Sequence, residues 1–365
     1  MNGRLSYRIL RMPLIFPFET SFGRQTERVP IIFRLEKDGI TSYSECVTDV
    51  DPFYSYESNS TVMSVVKGYL GKMVASAGDH DEFTRSASLI KGHNMAKAAL
   101  EMLLWDHEAR RAGKPLHSML GHGKGYAEVG VSIGMESIKS LIARVDDSVR
   151  MGYRRIKVKI KRGREIEILS AVRDAFPDIV LTADANSDYS IKDMDTLRKI
   201  DRYNLEYIEQ PFDHDDLIYH GRLAKEISTP ICLDESITSP EKARKALEIE
   251  ACSVINIKPG RVSGLGNSMK IAEICREFKA HVWVGGMLET GIGRSYNVSL
   301  ASSSLIDYPG DTSPNSRYFH RDIVGNPFTM MDGRISLSSE PGAGYIVDEK
   351  AMKEYTVESG VIYEW

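Results

Sequence analysis

The stretch RIKVKI at residues 155–160 is the first of five short apolar runs that recur at nearly constant spacing along the chain. The other four are VLTADAN (180–186), EYIEQP (206–211), PICLDES (230–236) and VINIKP (254–259). Segments of helix length, each with one apolar and one charged face, separate the runs, as in parallel strands joined by crossover helices. A closed ring of such units predicts an α/β barrel.

Each run carries an ionisable residue at or near its end, and these residues lie 25, 25, 25 and 24 positions apart. In chain order they are Lys159, Asp184, Glu209, Asp234 and Lys258. Reactive groups of such a barrel lie at the C-terminal ends of its strands, so we expect the five side chains to converge on one mouth. A single Asp or Lys there is more often a helix cap or a solvated charge, but capping would accept Ser, Thr or Asn equally well. The matched spacing therefore favours a functional site.

Three carboxylates side by side repel each other strongly unless a cation neutralises them. We therefore predict that Asp184, Glu209 and Asp234 bind a divalent metal ion. Ligands that are all oxygen select Mg²⁺ or Mn²⁺ over softer metals. Such an ion beside a substrate carboxylate would stabilise the negative charge that develops when the neighbouring carbon loses a proton.

Lysines flank the carboxylates on both sides. Lys157 and Lys159 lie on the same face of one strand, because side chains alternate with a period of two. Their mutual repulsion and partial burial are expected to lower the pKa of at least one, which would make it a general base. Lys258 comes from a strand across the ring. Two such lysines can move a proton from one face of a substrate to the other, or one can act while its partner stabilises charge.

The first hundred or so residues lack this rhythm. Segments such as LSYRILRMPL and VPIIFRLEKDG alternate between apolar and polar residues, which predicts a small antiparallel sheet, and helical segments follow them. The barrel begins near AEVGVSIG (127–134), and short alternating runs after residue 325 return to the first sheet. We predict an α+β capping domain, residues 1–122 completed by 326–365, around a (β/α)7β modified TIM barrel at 123–325.

Composition excludes several classes of function. Lys and Arg number 47 against 51 Asp and Glu, and no basic tract is present, so we expect no nucleic-acid partner. The four cysteines are scattered without a CxxC pair, as in a cytosolic protein with reduced thiols. No leader pattern is recognisable and no run approaches the roughly 18 apolar residues of a membrane span. The chain is expected to be soluble and cytoplasmic, with no membrane partner.

In its Lys-x-Lys, its carboxylates on three successive strands and its later lysine, the chain resembles the enolase superfamily, specifically its muconate-lactonizing-enzyme subgroup. The resemblance covers almost the whole chain, including FETSFG (18–23), which is similar to the specificity loop of the family's capping domain. It implies Mg²⁺ or Mn²⁺ as the cofactor, a small carboxylate substrate and a homo-oligomer. It also implies catalytic roles for Lys157, Lys159 and Lys258.

Within that subgroup, GGMLETGIGR (285–294), YPGDTS (308–313) and Arg261 resemble the branch of o-succinylbenzoate synthases and N-acylamino acid (N-succinylamino acid) racemases. The resemblance implies syn-dehydration of a succinyl-hydroxycyclohexadiene-carboxylate in menaquinone biosynthesis. Lys159 would remove the α-proton and then protonate the leaving hydroxyl, while Lys258 would act as a cation. Racemization of N-acylamino acids would use both lysines.

Further residues resemble substrate-pocket positions of the family. They are Thr20, Phe22, Ser132, Arg261, Met287 and Glu289. The alternative for each is ordinary loop packing, or a solvated charge for Arg261. Asn186 and Gln210 adjoin two of the predicted metal ligands, so they either support those ligands or are simply turn residues.

Competing functions leave different signatures. Mandelate-racemase-type members carry a histidine at the end of the seventh strand, where this chain has Gly285-Gly286-Met287. Dipeptide epimerases carry an Asp-x-Asp after the eighth strand, a spacing that residues 307–311 do not offer. A dedicated N-acylamino acid racemase and a muconate cycloisomerase share the catalytic residues and remain open. From a different class, a catalytically silent barrel could serve as a binding protein.

Overall fold

The computed structural model describes residues 3–20, 23–121 and 123–365, and the side chains of residues 19 and 20 lie outside that description. The strands of the N-terminal part are β1 (Gly3–Leu10), β2 (Met12–Thr20), β3 (Gly23–Arg28), β4 (Ile31–Lys37) and β5 (Ile40–Cys46). Its helices are α1 (Asn59–Val65), α2 (Gly71–Ser76), α3 (His80–Ala87), α4 (Asn94–Arg111) and α5 (Leu116–Met119), with a π-helical turn at Val66–Leu70 between α1 and α2.

The rest of the chain alternates strands and helices. The strands are β6 (Tyr126–Glu128), β7 (Val131–Ile133), β8 (Ile156–Lys159), β9 (Leu181–Asp184), β10 (Ile208–Glu209), β11 (Ile231–Leu233), β12 (Val254–Ile257), β13 (His281–Val284), β14 (Arg334–Ser336) and β15 (Thr356–Glu364). The helices are α6 (Ile138–Arg150), α7 (Glu165–Ala175), α8 (Met194–Ile200), α9 (Ile218–Ala224), α10 (Pro240–Glu248), α11 (Leu265–Phe278), α12 (Gly291–Ala301) and α13 (Glu349–Tyr355). Short 3₁₀ turns span Ile191–Asp193, Asp201–Tyr203 and Asn315–Arg317.

Strands β7 to β13 form one parallel sheet in chain order, as the five apolar runs predict. Residues 307–311 lie between its first and last strands. On one side the Asp311 amide donates to the Val284 carbonyl oxygen (2.9 Å). On the other the Gly130 amide donates to the Gly310 carbonyl oxygen (2.8 Å). The ring is thereby closed, which confirms the predicted (β/α)7β barrel with an α+β cap.

The capping part is built on an antiparallel sheet with the order β15-β1-β4-β5. Its apolar face packs on the α1 and α4 helices to make a core of its own, separate from the barrel core. The C-terminal β15 strand pairs with β1, so the tail does return to the N-terminal sheet, whereas the β14 strand pairs with β6 beside the barrel. The β2 and β3 strands form a separate hairpin. The domain boundaries at residues 122 and 326 stay a prediction.

Two buried carboxylates of the capping part hold the N-termini of two barrel helices. Glu45, on β5, accepts hydrogen bonds from the Thr290 amide (2.9 Å), the Thr290 hydroxyl (2.6 Å) and the Gly293 amide (3.1 Å) at the start of α12. Glu101, on α4, accepts from the Leu265 and Gly266 amides (2.9 and 2.8 Å) at the start of α11. Amides at a helix start otherwise lack partners, so each carboxylate fastens the cap to the barrel.

Close approach at these joints requires glycine. A Cβ atom on Gly293 would lie 2.5 Å from a Glu45 carboxylate oxygen. Gly264, just before α11, has a φ of +113°, and a Cβ there would lie 2.3 Å from a Glu101 oxygen. Only a residue without a side chain fits at either position. In the part of the chain that the structure describes, no helix is long and apolar enough to cross a membrane.

Stability should depend on the ionisation of Glu45. Burial raises the pKa of Glu45 to about 7, against an ordinary value of 4.5. Because the pKa of Glu45 is higher in the folded than in the unfolded protein, protonation of Glu45 favours the folded state. This contribution to the free energy of unfolding is complete below pH 4.5 and is lost as the pH rises through about 7. We expect the thermal midpoint of the wild type to fall relative to that of Glu45→Gln between pH 5 and pH 8. A difference between the two midpoints that stays constant with pH would contradict this.

Candidate active site

A cavity of about 390 Å³ lies at the C-terminal ends of the barrel strands, beneath the capping part. The barrel contributes, among others, Ser132, Lys157, Lys159, Asp184, Asn186, Lys258, Met287 and Asp311 to its lining. The cap contributes residues of the β2–β3 hairpin and of the segment from Asp49 to Tyr54. Strand ends of the ring and two cap segments therefore enclose one space that is large enough for a small organic molecule.

The ionisable side chains of neighbouring barrel strands lie side by side at matched positions. Lys159 pairs in register with Asp184, and Asp184 pairs with Glu209 on the next strand. The Lys159 ammonium donates to a carboxylate oxygen of Asp184 (2.7 Å) and to the amide oxygen of Asn186. The register that the constant spacing implies is therefore what brings these groups into one row.

Lys157 is surrounded by carboxylates. Its ammonium lies 2.7 Å from Glu209, 2.9 Å from Asp311 and 3.3 Å from Asp184. It also lies 4.7 Å from the centre of the Trp283 ring. Burial opposes its ionisation, but the three carboxylates outweigh that cost and raise its pKa well above the ordinary lysine value.

The lysine across the ring has the same kind of partner. Lys258 donates to a carboxylate oxygen of Asp234 (2.7 Å) and to the hydroxyl of Tyr54 (3.2 Å), which comes from the cap. The guanidinium of Arg261 binds the other oxygen of Asp234. Burial opposes ionisation of Lys258, but Asp234 outweighs it, so the pKa of Lys258 is raised.

Repulsion between the paired lysines was expected to lower the pKa of at least one of them. For Lys157 the shift runs in the opposite direction, because its pKa is raised. The pattern of alternating residues reveals that two ammonium groups share a face, but not the carboxylates that each one meets. The carboxylates around Lys157 favour its charged form.

The three carboxylates are almost completely removed from water, with exposed fractions of 2% for Asp184, 0% for Glu209 and 1% for Asp234. Burial and the charge of Asp184 raise the pKa of Glu209 to about 7. For Asp234, burial is outweighed by Arg261 and Lys258, which lower its pKa. The nearby cations thus outweigh the effect of burial at Asp234 but not at Glu209.

We tested whether these residues fit a metal ion. Within residues 3–20, 23–121 and 123–365, no group of three His, Cys, Asp or Glu side chains is arranged to hold one. The reason is visible in the contacts, because each of the three carboxylates is turned toward a lysine ammonium. The donor set nevertheless fits a hard divalent cation, since it consists of three buried carboxylates, whose oxygens are the ligands that such an ion prefers.

Two residues, Asn186 and Gln210, form hydrogen bonds that hold two of the candidate metal ligands in place. Asn186 donates its backbone amide to Asp184 (3.0 Å) and its side-chain amide to Glu235 (3.2 Å). Gln210 accepts hydrogen bonds from the backbone amides of Asp234 (3.0 Å) and Ser236 (3.3 Å). Both residues have positive φ, 43° and 39°, a conformation that costs free energy and is often retained at functional sites.

The predicted substrate-binding residues are placed differently from one another. Ser132 and Met287 line the cavity. Glu289 is buried and binds Arg294 (2.8 Å) and Asn297 (2.8 Å), and it is not among the described residues that line the cavity. Arg261 is likewise not among the described residues that line the cavity. Phe22 and the side chain of Thr20 lie outside the described residues.

Sequence reasoning missed several groups that the fold brings to the site. Asp311 binds Lys157 and Arg155, and Tyr54 binds Lys258. Asp311 lies within YPGDTS, but that motif served only as a family resemblance and gave no hint of its partners. Tyr54 lies in a cap segment without regular periodicity, so no signal in the sequence points to it.

The geometry defines a class of protein, a barrel with buried carboxylates and lysines at its mouth under an α+β cap. Residues 140–351 match the family described as enolase C-terminal domain-like. Residues 6–121 match the N-terminal domain of mandelate racemase / muconate lactonizing enzyme. The chain belongs to this enzyme family of the enolase superfamily, whose members use Mg²⁺.

Particular relatives lie close. The chain is 42% identical to o-succinylbenzoate synthase of Geobacillus stearothermophilus over 96% of this chain and 94% of the relative. It is also 42% identical to N-succinylamino acid racemase of Thermus thermophilus over 92% of each chain. A crystal structure of an enolase superfamily member from Listeria innocua matches 99% of both chains with a TM-score of 0.96 and 36% identity.

Removing the charge of Asp234 should destabilise the metal-free protein. The change Asp234→Asn leaves two buried cations, Lys258 and Arg261, without a full anionic partner, which typically costs about 3 kcal/mol. Urea unfolding in the presence of a chelator measures this loss. The control is Asp195→Asn, since the ion pair of Asp195 with Arg198 is exposed and its loss should change stability little. Equal effects of the two changes would contradict the buried-pair account.

Proposed function

We propose that the protein is an o-succinylbenzoate synthase that also racemizes N-succinylamino acids or other N-acylamino acids. One observation carries the proposal: Lys159 and Lys258 reach the same cavity from the second and sixth strands of the ring, with three buried carboxylates between them. A substrate in this cavity would present opposite faces to the two lysines. Equal identity to a synthase and a racemase supports both activities.

Asp184, Glu209 and Asp234 would hold Mg²⁺ or Mn²⁺. When bound, the ion would stabilise the negative charge that grows on the substrate carboxylate as the α-carbon loses its proton. Because these ligands come from three successive strand ends, that charge would develop next to Lys159 and within the ring. The cavity is covered by the cap, which limits access of water to the reacting carbon.

For dehydration, Lys159 must be neutral when the substrate arrives. It takes the α-proton on its Nζ atom, which leaves the electron pair in the substrate. The electron pair then expels the hydroxyl group, and Lys159 returns a proton to that oxygen so that water leaves. Lys258 remains protonated throughout and stabilises negative charge across the substrate face.

Racemization uses the same groups differently. One lysine removes the α-proton from one face, and the other lysine delivers a proton to the opposite face, which inverts the carbon. The two lysines exchange roles for the opposite enantiomer. A dedicated racemase is the second candidate function, because the 42% identity to the Thermus thermophilus racemase equals that to the synthase.

The carboxylate substrate, a cytoplasmic location and a homo-oligomeric state complete the proposal. The cap side of the cavity carries Phe53 and Val50, which are 70% and 55% exposed. Apolar groups at a cavity mouth suit the ring or the alkyl side chain of an organic acid. Muconate cycloisomerase activity and a catalytically silent binding protein are the alternatives that assays must exclude.

Two lysine variants test the catalytic roles. Lys159→Ala should lower dehydration and α-proton exchange by about 100-fold or more, because both begin with proton abstraction. Lys258→Ala should abolish racemization, since the second face loses its proton carrier. The measurements are product formation from the cyclohexadiene substrate and from cis,cis-muconate, and α-deuteration and inversion of N-succinylamino acids in D₂O with Mg²⁺.

The matched control is Lys161→Ala, an exposed lysine two positions beyond Lys159, which should leave every rate near that of the wild type. Near-normal dehydration by Lys159→Ala, or racemization by Lys258→Ala, would refute the corresponding role. Turnover of muconate alone would favour the cycloisomerase. No turnover of any of these substrates by the wild type would favour the binding protein.

Chelation should inactivate the enzyme reversibly. Removing divalent ions leaves the three carboxylates to the lysines and takes away the main stabilisation of developing charge. Activity is measured after treatment with EDTA and again after addition of Mg²⁺, Mn²⁺ or Zn²⁺, with circular dichroism to monitor the fold. Full activity in the chelator, or recovery with Zn²⁺ alone, would contradict an oxygen-ligand magnesium site.

A further inference from the structure

The three lysines of the cavity share one arrangement. Each binds a carboxylate proposed as a metal ligand, and each also binds a second group that is not proposed as a ligand. The pairs of lysine and second partner are Lys157 with Asp311, Lys159 with Asn186, and Lys258 with Tyr54. Among these second partners only Asp311 is a carboxylate. In the described part of the chain, Lys157 is therefore the one cavity lysine with a carboxylate outside the proposed ligand set at ion-pair distance.

Asp311 is firmly placed. Its backbone amide donates to the Val284 carbonyl oxygen (2.9 Å), and its carbonyl oxygen accepts from Arg294 (2.6 Å). One carboxylate oxygen accepts from Arg155 (2.7 Å), while the other lies 2.9 Å from the Lys157 ammonium. Because the strand-closing segment fixes this carboxylate, it can hold an ammonium group without moving.

Arg155 supports the same position from behind. It is buried, donates two hydrogen bonds to the Pro309 carbonyl oxygen (3.1 and 3.3 Å) and lies 4.7 Å from the centre of the Trp283 ring. A Cβ atom on Gly130 would lie 2.6 Å from its guanidinium, so the packing there is tight. Arg155 thus keeps the Asp311 carboxylate charged and aimed at Lys157.

The Lys157 ammonium also competes with a metal ion for two of the proposed ligands. Its contacts with Glu209 (2.7 Å) and Asp184 (3.3 Å) occupy oxygens that a divalent cation would need. If a divalent cation bound those oxygens, it would repel the Lys157 ammonium, which would then lose Glu209 and Asp184 as anionic neighbours. A buried ammonium left without an anion is strongly unfavourable. Asp311 would be the remaining carboxylate beside Lys157, so it would determine the free-energy cost of replacing the lysine by a metal ion at Glu209 and Asp184.

We propose that Asp311 is a positioning residue that holds the Lys157 ammonium when Glu209 and Asp184 bind the metal ion. Asp311 thereby raises the affinity of the three-carboxylate site for Mg²⁺ or Mn²⁺ and keeps Lys157 pointed into the cavity as a cation. This inference rests on the metal ligands of the proposed function. It adds a role for Asp311 in the binding of the metal ion, which the proposed reaction does not describe.

The test is the binding of Mg²⁺ and Mn²⁺ to metal-free protein by isothermal titration calorimetry, without substrate. Asp311→Asn removes the charge and keeps the size, and we expect it to weaken affinity by about tenfold or more. Asp311→Glu keeps the charge and should recover most of the affinity. In a Lys157→Met background, Asp311→Asn should have no further effect, because no ammonium needs the anion.

The matched control is Asp106→Asn, another buried carboxylate that binds an arginine, Arg110 (2.8 Å), remote from the cavity. It should leave metal affinity unchanged. Unchanged affinity in Asp311→Asn, or an equal loss in Asp106→Asn, would overturn the inference while the metal site stands. Absence of saturable Mg²⁺ binding by the wild type would instead overturn the metal assignment itself.

A crystal structure of the wild type with Mg²⁺ tests the inference without any variant, should Asp311→Asn fail to fold. We expect the Lys157 ammonium to remain bonded to Asp311 and to have left Glu209. A Lys157 side chain that keeps Glu209 and has left Asp311 would overturn the inference.

Discussion

Electrostatic repulsion among Asp184, Glu209 and Asp234 is the constraint on which this site depends. Their carboxylates are removed from water at neighbouring strand ends, where each like charge destabilises the others. The protein offsets the repulsion with three lysines and Arg261. The same lysines line the cavity, so the groups that stabilise the metal-free protein are also those that a bound molecule would meet.

Much of the barrel could be predicted because its repeat is regular. A spacing of 25 residues, combined with a period of two along each strand, places Lys159, Asp184 and Glu209 in one row without any knowledge of the coordinates. The segment that takes the place of an eighth barrel strand is harder to recognise from the sequence. Residues 307–311 contribute isolated hydrogen bonds rather than an apolar run, so the closure of the ring leaves little trace in the pattern.

The partners of the charges could not be predicted. Asp311 reaches Lys157 only because the chain closes the ring there, and Tyr54 reaches Lys258 only because the cap lies over the mouth. Both contacts join residues more than 150 positions apart. Local patterns report which face a side chain occupies, whereas a pKa depends on every charge around it, so the raised pKa of Lys157 could not be predicted from its position beside Lys159.

The cavity is assembled from two parts of the chain, the barrel and the cap. Lys159 and Lys258 lie at strand ends of the ring, while Phe53 and Val50 at the mouth belong to the cap. Glu45 and Glu101 fasten the cap to the barrel at the starts of α12 and α11, and neither is among the described residues that line the cavity. Such modularity makes the enzyme evolvable, because the residues that the cap adds to the cavity can change while the joints between cap and barrel are kept.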